Sequence, residues 1–189
     1  MRKLYEYGGI IASTLLIVFG VGAIVAGFVG RADVRDTLAQ EQIVGTPDMK
    51  NVANEKIDTG AEARDFANGM RVHALEATGG KTYAQMERFM GKDGKPTNDE
   101  ALAAVNPTSG KPVDNPARQI WVTETALSTA LSTAYFAEQV ALFSIMMGVA
   151  LLLAGIGFGV VTVRVLHRQD AEEDATAREP KVTAKPVSI

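Results

Sequence analysis

The sequence predicts an all-α membrane protein, in which two transmembrane helices form a hairpin and a mainly helical extracytoplasmic domain lies between them. Two observations carry this prediction. Residues 8–30 and residues 141–163 are each a run of 23 residues without a charged side chain, whereas the middle of the chain is polar. A helix of that length measures about 34 Å, which is enough to cross a hydrocarbon core of roughly 30 Å. Because lipid offers no hydrogen-bond partners, both runs are expected to be helical.

The composition of the 189 residues excludes several classes of protein. A formal net charge of −3 gives no reason to expect a nucleic-acid partner. The chain contains no cysteine, which excludes disulfides, thiolate nucleophiles and cysteine-based metal sites. The partner that the sequence does predict is the lipid bilayer, because of the two apolar runs.

The first apolar run is interpreted as an uncleaved membrane anchor. Residues 1–7 place Arg2 and Lys3 before it, together with tyrosines typical of a membrane interface. A cleaved signal peptide also begins with basic residues. Its apolar region is usually only about 7–15 residues long, however, and here a second span follows.

Basic residues near the two spans predict their orientation. On the terminal sides lie Arg2, Lys3, Arg164 and Arg168, whereas only Arg31 and Arg35 lie close on the loop side. Because cytoplasmic flanks carry the excess of lysine and arginine, both termini are expected in the cytoplasm of a two-pass plasma-membrane protein. The predicted segments are a cytoplasmic N-terminus (1–7), transmembrane helix 1 (8–30), an extracytoplasmic domain (31–138), transmembrane helix 2 (139–165) and a disordered cytoplasmic tail (166–189).

The region between the spans is expected to alternate short helices with loops. The first span continues as a helix over residues 31–43, because this stretch has no glycine or proline. A further helix is capped by Asp58 or Thr59 and ends at Gly79-Gly80. Short helices are predicted over residues 83–90 and 99–105, followed by an extended loop over residues 106–116.

The second span is predicted to begin far outside the membrane. Asn115-Pro116 is a typical helix start, with a capping residue and then proline in the first turn. From there the helix either runs unbroken to His167, as a stalk, or breaks near Ser132-Thr133; the stalk is favoured. Its expected packing face comprises Trp121, Leu127, Leu131 and Tyr135.

Three patterns suggest chemistry at first sight. His73 and Glu76 share a helical turn, but a metal site needs three or four convergent ligands and the chain has two histidines. Residues 79–82 read GGKT, yet Leu75 stands where a phosphate loop requires its first glycine. Glu124 or Glu138 with Tyr135 or Ser132 forms no recognisable acid–base spacing. We therefore predict no catalytic residue, no metal ligand and no cofactor.

Small residues in the two spans predict close helix–helix packing. They recur four residues apart, a spacing that lets two backbones approach in lipid. The predicted packing residues are Ala23, Gly27, Ala150, Ala154, Gly155 and Gly159. The contact is expected either between the two spans or with another subunit.

Residues 71–84, RVHALEATGGKTYA, resemble a segment of a family of small two-span actinobacterial membrane proteins. The resemblance extends loosely over residues 120–143. It implies the same topology and an actinobacterial envelope. Some members of that family carry a label as aromatic ring-opening dioxygenases. That activity requires iron held by two histidines and a carboxylate, and only His73 lies on the expected side, so the activity is not expected here.

Three functions remain open on the sequence. The favoured one is a non-catalytic accessory subunit bound to other integral membrane subunits. The specific expectation, by size and topology only, is the actinobacterial respiratory supercomplex of cytochrome bc and terminal oxidase. The alternative is a free-standing envelope protein that binds a wall or lipid component through residues 59–115. An enzyme or sensor is the third, and no small-molecule substrate is predicted.

Overall fold

The computed structural model describes residues 2–177, and most of them are helical. Helix α1 (Arg2–Gln40) has 39 residues, α2 (Gly60–Ala77) has 18 and α3 (Pro116–Ala177) has 62. The remaining elements of the described chain are two 3-10 turns (Tyr83–Gln85 and Glu100–Leu102) and a pair of short strands, β1 (Phe89–Met90) and β2 (Pro96–Thr97).

Helices α1 and α3 have the length and apolar composition needed to cross a membrane. The qualifying segments are Tyr7–Gln40 and Pro116–Leu166. The sequence prediction of a mostly helical chain with two long apolar helices is therefore confirmed. The side of the membrane on which each end lies stays a prediction.

The described chain forms two compact units. The first, called the two-helix unit, contains the described parts of Met1–Gly27 and Phe143–Ile189. The second, called the central unit, is Phe28–Leu142.

The central unit is built around a small apolar core. Val52 and Ile57, from the loop between α1 and α2, are its most deeply buried large side chains. Helices α1, α2 and α3 supply the other walls. The buried members of this core are Leu38, Met49, Val52, Ile57, Ala63, Ala67 and Leu131. A second cluster unites Ala74 of α2, Met86 and Trp121 of α3.

Helix α2 begins and ends where the sequence predicts. The Thr59 hydroxyl accepts a hydrogen bond from the Glu62 N–H, and the Glu62 carboxylate accepts one from the Thr59 N–H. This reciprocal pair satisfies two otherwise free donors at the helix start. At the other end Gly79 and Gly80 adopt φ of 63° and 77°, which glycine permits without strain.

Two predicted short helices are wrong. Residues 83–90 contain only one 3-10 turn, after which Phe89 pairs antiparallel with Thr97. Residues 99–105 likewise form one 3-10 turn, and Ala103 then bridges to Gly91. Both segments find backbone hydrogen-bond partners in neighbouring loops, such as Met90 N–H donating to Val113 O at 2.9 Å. A short segment with such partners gains little from a helical turn.

Helix α3 starts at Pro116, as predicted, with the Asn115 side chain accepting from the Ala117 N–H at 3.1 Å. It shows no break at Ser132-Thr133, so the unbroken alternative is confirmed. It also continues through Ala177, which differs from the disordered tail predicted over residues 166–189. Residues 178–189 lie outside the described residues.

Candidate helix-packing interface and polar sites

The closest approach in the two-helix unit is between two glycines. A Cβ placed on Gly20 would lie 2.8 Å from the Gly148 carbonyl oxygen, and one on Gly148 would lie 2.6 Å from the Gly20 carbonyl oxygen. Real Cβ atoms do not approach oxygen so closely, and backbone atoms cannot rotate away. The α1 and α3 backbones therefore touch here, and both positions require glycine.

Further contacts continue this interface antiparallel along the two helices. The Ser13 hydroxyl donates to the Gly155 carbonyl oxygen at 2.7 Å, and a Cβ on Gly155 would lie 2.8 Å from Ile17 Cγ1. Gly159 faces the Ser13 hydroxyl, and Gly9 faces Thr162. We call this contact the small-residue seam.

The seam repeats every seven residues. Ser13, Gly20 and Gly27 are buried on α1, and Gly148 and Gly155 are buried on α3. A seven-residue repeat keeps one face of each helix turned to its neighbour when the two wind in a left-handed supercoil. On this face the two backbones meet at Gly20 and Gly148, and Gly155 continues the face against Ile17.

The six residues predicted from the four-residue spacing differ in how far they are buried. Gly27 and Gly155 are buried, while Ala23 and Gly159 are half-buried. Ala150 and Ala154 are exposed on the surface of α3. Sequence reasoning missed Gly20 and Gly148, although their seven-residue spacing from Gly27 and Gly155 was a readable signal.

A partly buried ion pair joins the helices of the central unit. The Glu138 side chain is only 5% exposed, and its Oε1 accepts from Arg31 Nε at 2.8 Å. Arg35 Nε lies 4.0 Å from the same oxygen. The other oxygen accepts from the Gly60 N–H at 2.7 Å, at the start of α2. One carboxylate thereby joins α1, α2 and α3 within this unit.

The acid–base pairs considered from the sequence are not assembled. Tyr135 accepts a hydrogen bond from Arg64 at 2.9 Å, and Glu138 is held by arginine. Glu124 is 6% exposed and accepts from the hydroxyls of Ser128 and Thr125 at 2.8 and 3.3 Å. It lines a cavity of about 490 Å³, which Ser132 also lines.

His73 meets an aspartate instead of Glu76. Its Nε2 lies 2.6 Å from Asp48 Oδ2 on the surface of the central unit. The Thr46 hydroxyl and then His73 hold the pKa of Asp48 below its usual range. Among residues 2–177 no three histidine, aspartate or glutamate side chains are grouped to hold a metal ion.

The GGKT segment is the C-terminal end of α2. The Gly80 N–H donates to the Leu75 carbonyl at 2.7 Å, closing the last turn. Lys81 lies 3.4 Å from Glu87. A hydrogen bond from its own backbone N–H, and then Lys81, lower the pKa of the Glu87 carboxyl. These contacts assign the segment a role in ending a helix.

No protein-family model, no curated protein and no solved structure matches this chain. The resemblance of residues 71–84 to the two-span family therefore stays a prediction.

Proposed function

We propose that this chain is a non-catalytic accessory subunit of a larger membrane assembly. The observation that carries the proposal is the division of small residues between two faces of α3. Gly148 and Gly155 pack on α1, whereas Ala150 and Ala154 are exposed among large apolar side chains. In lipid, close packing of small residues is a main source of helix association. The exposed alanines thus provide a surface for a helix of another subunit.

Apolar exposure supports the same proposal. Large apolar residues stand out from both helices of the two-helix unit, including Phe19, Val25, Leu153 and Phe158 at 56% exposure or more. A surface of this kind belongs against lipid or another apolar helix. The partners proposed are the bilayer and other integral membrane subunits.

The proposed topology is a helical hairpin with cytoplasmic termini and residues 31–138 outside. Its support is the distribution of basic residues around the spans. Only Arg31 and Arg35 lie close to the spans on the loop side, and both lie near Glu138. The terminal sides carry Arg164 and Arg168 on α3 in addition to the basic N-terminus.

The assembly proposed first is the respiratory supercomplex of cytochrome bc and terminal oxidase. The experiment is purification of the tagged full-length chain in a mild detergent, with mass spectrometry and a visible absorption spectrum of the eluate. Stoichiometric haem-containing subunits would support this assembly. Stoichiometric partners without haem would keep the accessory role but assign it to another membrane assembly. Elution of the chain alone would overturn the accessory role.

A matched pair of variants tests the exposed face. Replacing Ala150 and Ala154 together by leucine should reduce the recovered partner, because larger side chains hold a neighbouring helix away. The control replaces Val149 and Val160, which are 43% and 50% exposed, by leucine. Equal loss of partner in both variants would contradict a specific role for the alanines.

The alternative, an envelope protein that binds a wall or lipid component, is favoured by a different observation. A wide-open, groove-like cavity of about 640 Å³ lies between α2 and α3 in the central unit. Met70, Ala74 and Ile120 are among its apolar lining residues. An apolar cavity with few polar groups is typical of a ligand site. Elution of the chain without protein partners, but with a bound envelope component, would favour this function.

A further inference from the structure

A second open cavity between α2 and α3 shares Glu124 with the apolar one, and most of its lining residues have polar side chains. It has a volume of about 490 Å³ and lies within the central unit. Glu124 lines one end and Phe136 the other. These residues are twelve positions apart on α3, so the lining face of the helix extends about 18 Å. The space is sufficient for a small polar molecule.

Glu124 brings an uncompensated charge to this cavity. The residue is 6% exposed, and its two hydrogen bonds come from neutral hydroxyls of its own helix. It forms no ion pair with any residue in the described part of the chain. A buried carboxylate without a cation is costly unless a ligand or proton compensates it.

Arg71 brings the opposite charge to the same cavity. Its guanidinium lies over the Trp121 ring, 5.3 Å from the centroid, and it too has no ion pair among residues 2–177. Arg71 and Glu124 therefore line one space without forming a salt bridge to each other. A ligand with one charge of each sign would compensate both.

The hydroxyls along α3 provide hydrogen-bond acceptors in this cavity, beginning with Ser128 beside Glu124. Ser128 donates to Glu124, Thr129 donates to the Thr125 carbonyl at 2.6 Å, and Thr133 donates to the Thr129 carbonyl at 2.8 Å. Because a hydroxyl has one proton to donate and two lone pairs, these three oxygens are left as acceptors. An ammonium group, with several N–H donors, matches this wall.

We propose that this cavity binds a small zwitterion. Glu124 and Ser128 hold its ammonium group, and Arg71 holds its carboxylate or phosphate. Amino acids and the phosphoethanolamine headgroup of a lipid share this chemistry. The proposal does not depend on the accessory role, since it concerns a site within the central unit alone.

Isothermal titration calorimetry of the full-length chain in mild detergent tests the proposal. The probes are alanine and glycerophosphoethanolamine, which carries the phosphodiester of a lipid headgroup, with ethanolamine and inorganic phosphate as comparisons that lack one of the two charges. Saturable binding of at least one zwitterion is expected, at least about tenfold tighter than either comparison, because each charge-assisted contact adds affinity. Preference for glycerophosphoethanolamine would identify a lipid headgroup, and preference for alanine would identify an amino acid.

Two substitutions locate the site. Glu124→Gln and Arg71→Gln should each weaken binding by at least about tenfold, and Glu76→Gln, an exposed position on the same α2 helix as Arg71, should not. Trp121 is the only tryptophan, so its fluorescence should change on binding to the wild type. Arg71 is exposed, so Arg71→Gln keeps the test valid even where Glu124→Gln fails to fold. No saturable binding, equal binding of ethanolamine, or wild-type affinity of Arg71→Gln would overturn the proposal.

Discussion

The two units of this chain are stabilised in contrasting ways. In the two-helix unit the close packing of α1 on α3 requires glycines, because Gly20 and Gly148 bring the two backbones into contact. The central unit depends on the presence of side chains, since Glu138 joins three helices and Thr59 caps α2. In the membrane placement proposed for the two-helix unit there is little hydrophobic drive between helices, so the closeness of their packing decides association. In the aqueous placement proposed for the central unit a small apolar core needs satisfied polar groups around it.

The largest expected effect is in the central unit. Glu138→Ala removes the acceptor of both Arg31 and the Gly60 N–H, so two donors lose their partner. Breaking a buried ion pair costs about 3–5 kcal/mol, and about 3 kcal/mol is expected because Arg31 is partly exposed. The measurement is urea unfolding followed by Trp121 fluorescence, which reports this unit.

A matched pair of variants separates charge from packing at this site. Glu55→Ala, at an exposed glutamate, should leave the free energy of unfolding unchanged. Replacing both Arg31 and Glu138 by methionine should recover part of the stability that Glu138→Ala loses, because both charges of the closest pair are removed and Arg35 is 46% exposed to solvent. Wild-type stability of Glu138→Ala would contradict the central role of this carboxylate.

The next effect is in the two-helix unit. Gly148→Val places a side chain against the α1 backbone and should cost about 1–3 kcal/mol through overpacking.

The chain has no cysteine, so an introduced pair of cysteines can report the distance between the two helices. Ser13 Cβ lies 3.8 Å from the Cβ position of Gly159, which suits a disulfide. Ser13→Cys with Gly159→Cys should cross-link readily, and Gly148→Val should slow that reaction.

Gly157 provides the control for this unit, because nothing lies within 4 Å of its Cβ position. Gly157→Val should leave the cross-linking rate near that of the parent pair. Cross-linking of Ser13→Cys with Gly157→Cys should be poor. If the second pair of cysteines reacts as fast as the first, the two helices pack in a register other than the one described for the small-residue seam.

A smaller effect is expected at the start of α2. Thr59→Ala removes one half of the reciprocal cap with Glu62 and should cost about 1 kcal/mol. Urea unfolding followed by Trp121 fluorescence measures it, since Trp121 packs on Ala74 of α2. Thr108→Ala, at an exposed loop position, is the control. Equal stabilities of the two variants would show that the cap contributes nothing.

The smallest expected effect is a decrease in stability at low pH that depends on Asp48. The Thr46 hydroxyl and His73 lower the pKa of Asp48 from 3.8, so the carboxylate contributes stability above that value and loses it as pH falls through the folded pKa. The wild type should therefore lose more stability than Asp48→Asn between pH 5 and pH 3. Parallel losses in urea unfolding curves at the two pH values would contradict this contribution.

The sequence predicted those features that depend on local pattern. The two apolar helices, the cap at Thr59, the glycine end of α2 and the start at Pro116 each follow from composition or from a few neighbouring residues. The expected packing face of α3 was partly met, since Trp121 and Leu131 are buried whereas Leu127 is 49% exposed. The spacing of apolar residues predicts one face of α3, but the elements packed against that face decide which of its residues become buried.

Predictions were wrong where a distant partner competes with local preference. Residues 83–90 and 99–105 have helix-forming composition, yet their backbones bond to each other and to residues 111–114. Glu124 and Glu138 look alike in the sequence. Arg31 and the start of α2 reach one of them, and a cavity lies beside the other.

By itself the sequence determined that this chain has two long apolar helices around a polar middle, because hydrophobicity and charge are read along the chain. Only the tertiary structure decided which glycines touch, which carboxylate is paired and which one faces a cavity. Those outcomes depend on residues more than a hundred positions apart, such as Ser13 and Gly155 or Arg31 and Glu138. Their meeting is set by helix packing, which no local pattern contains.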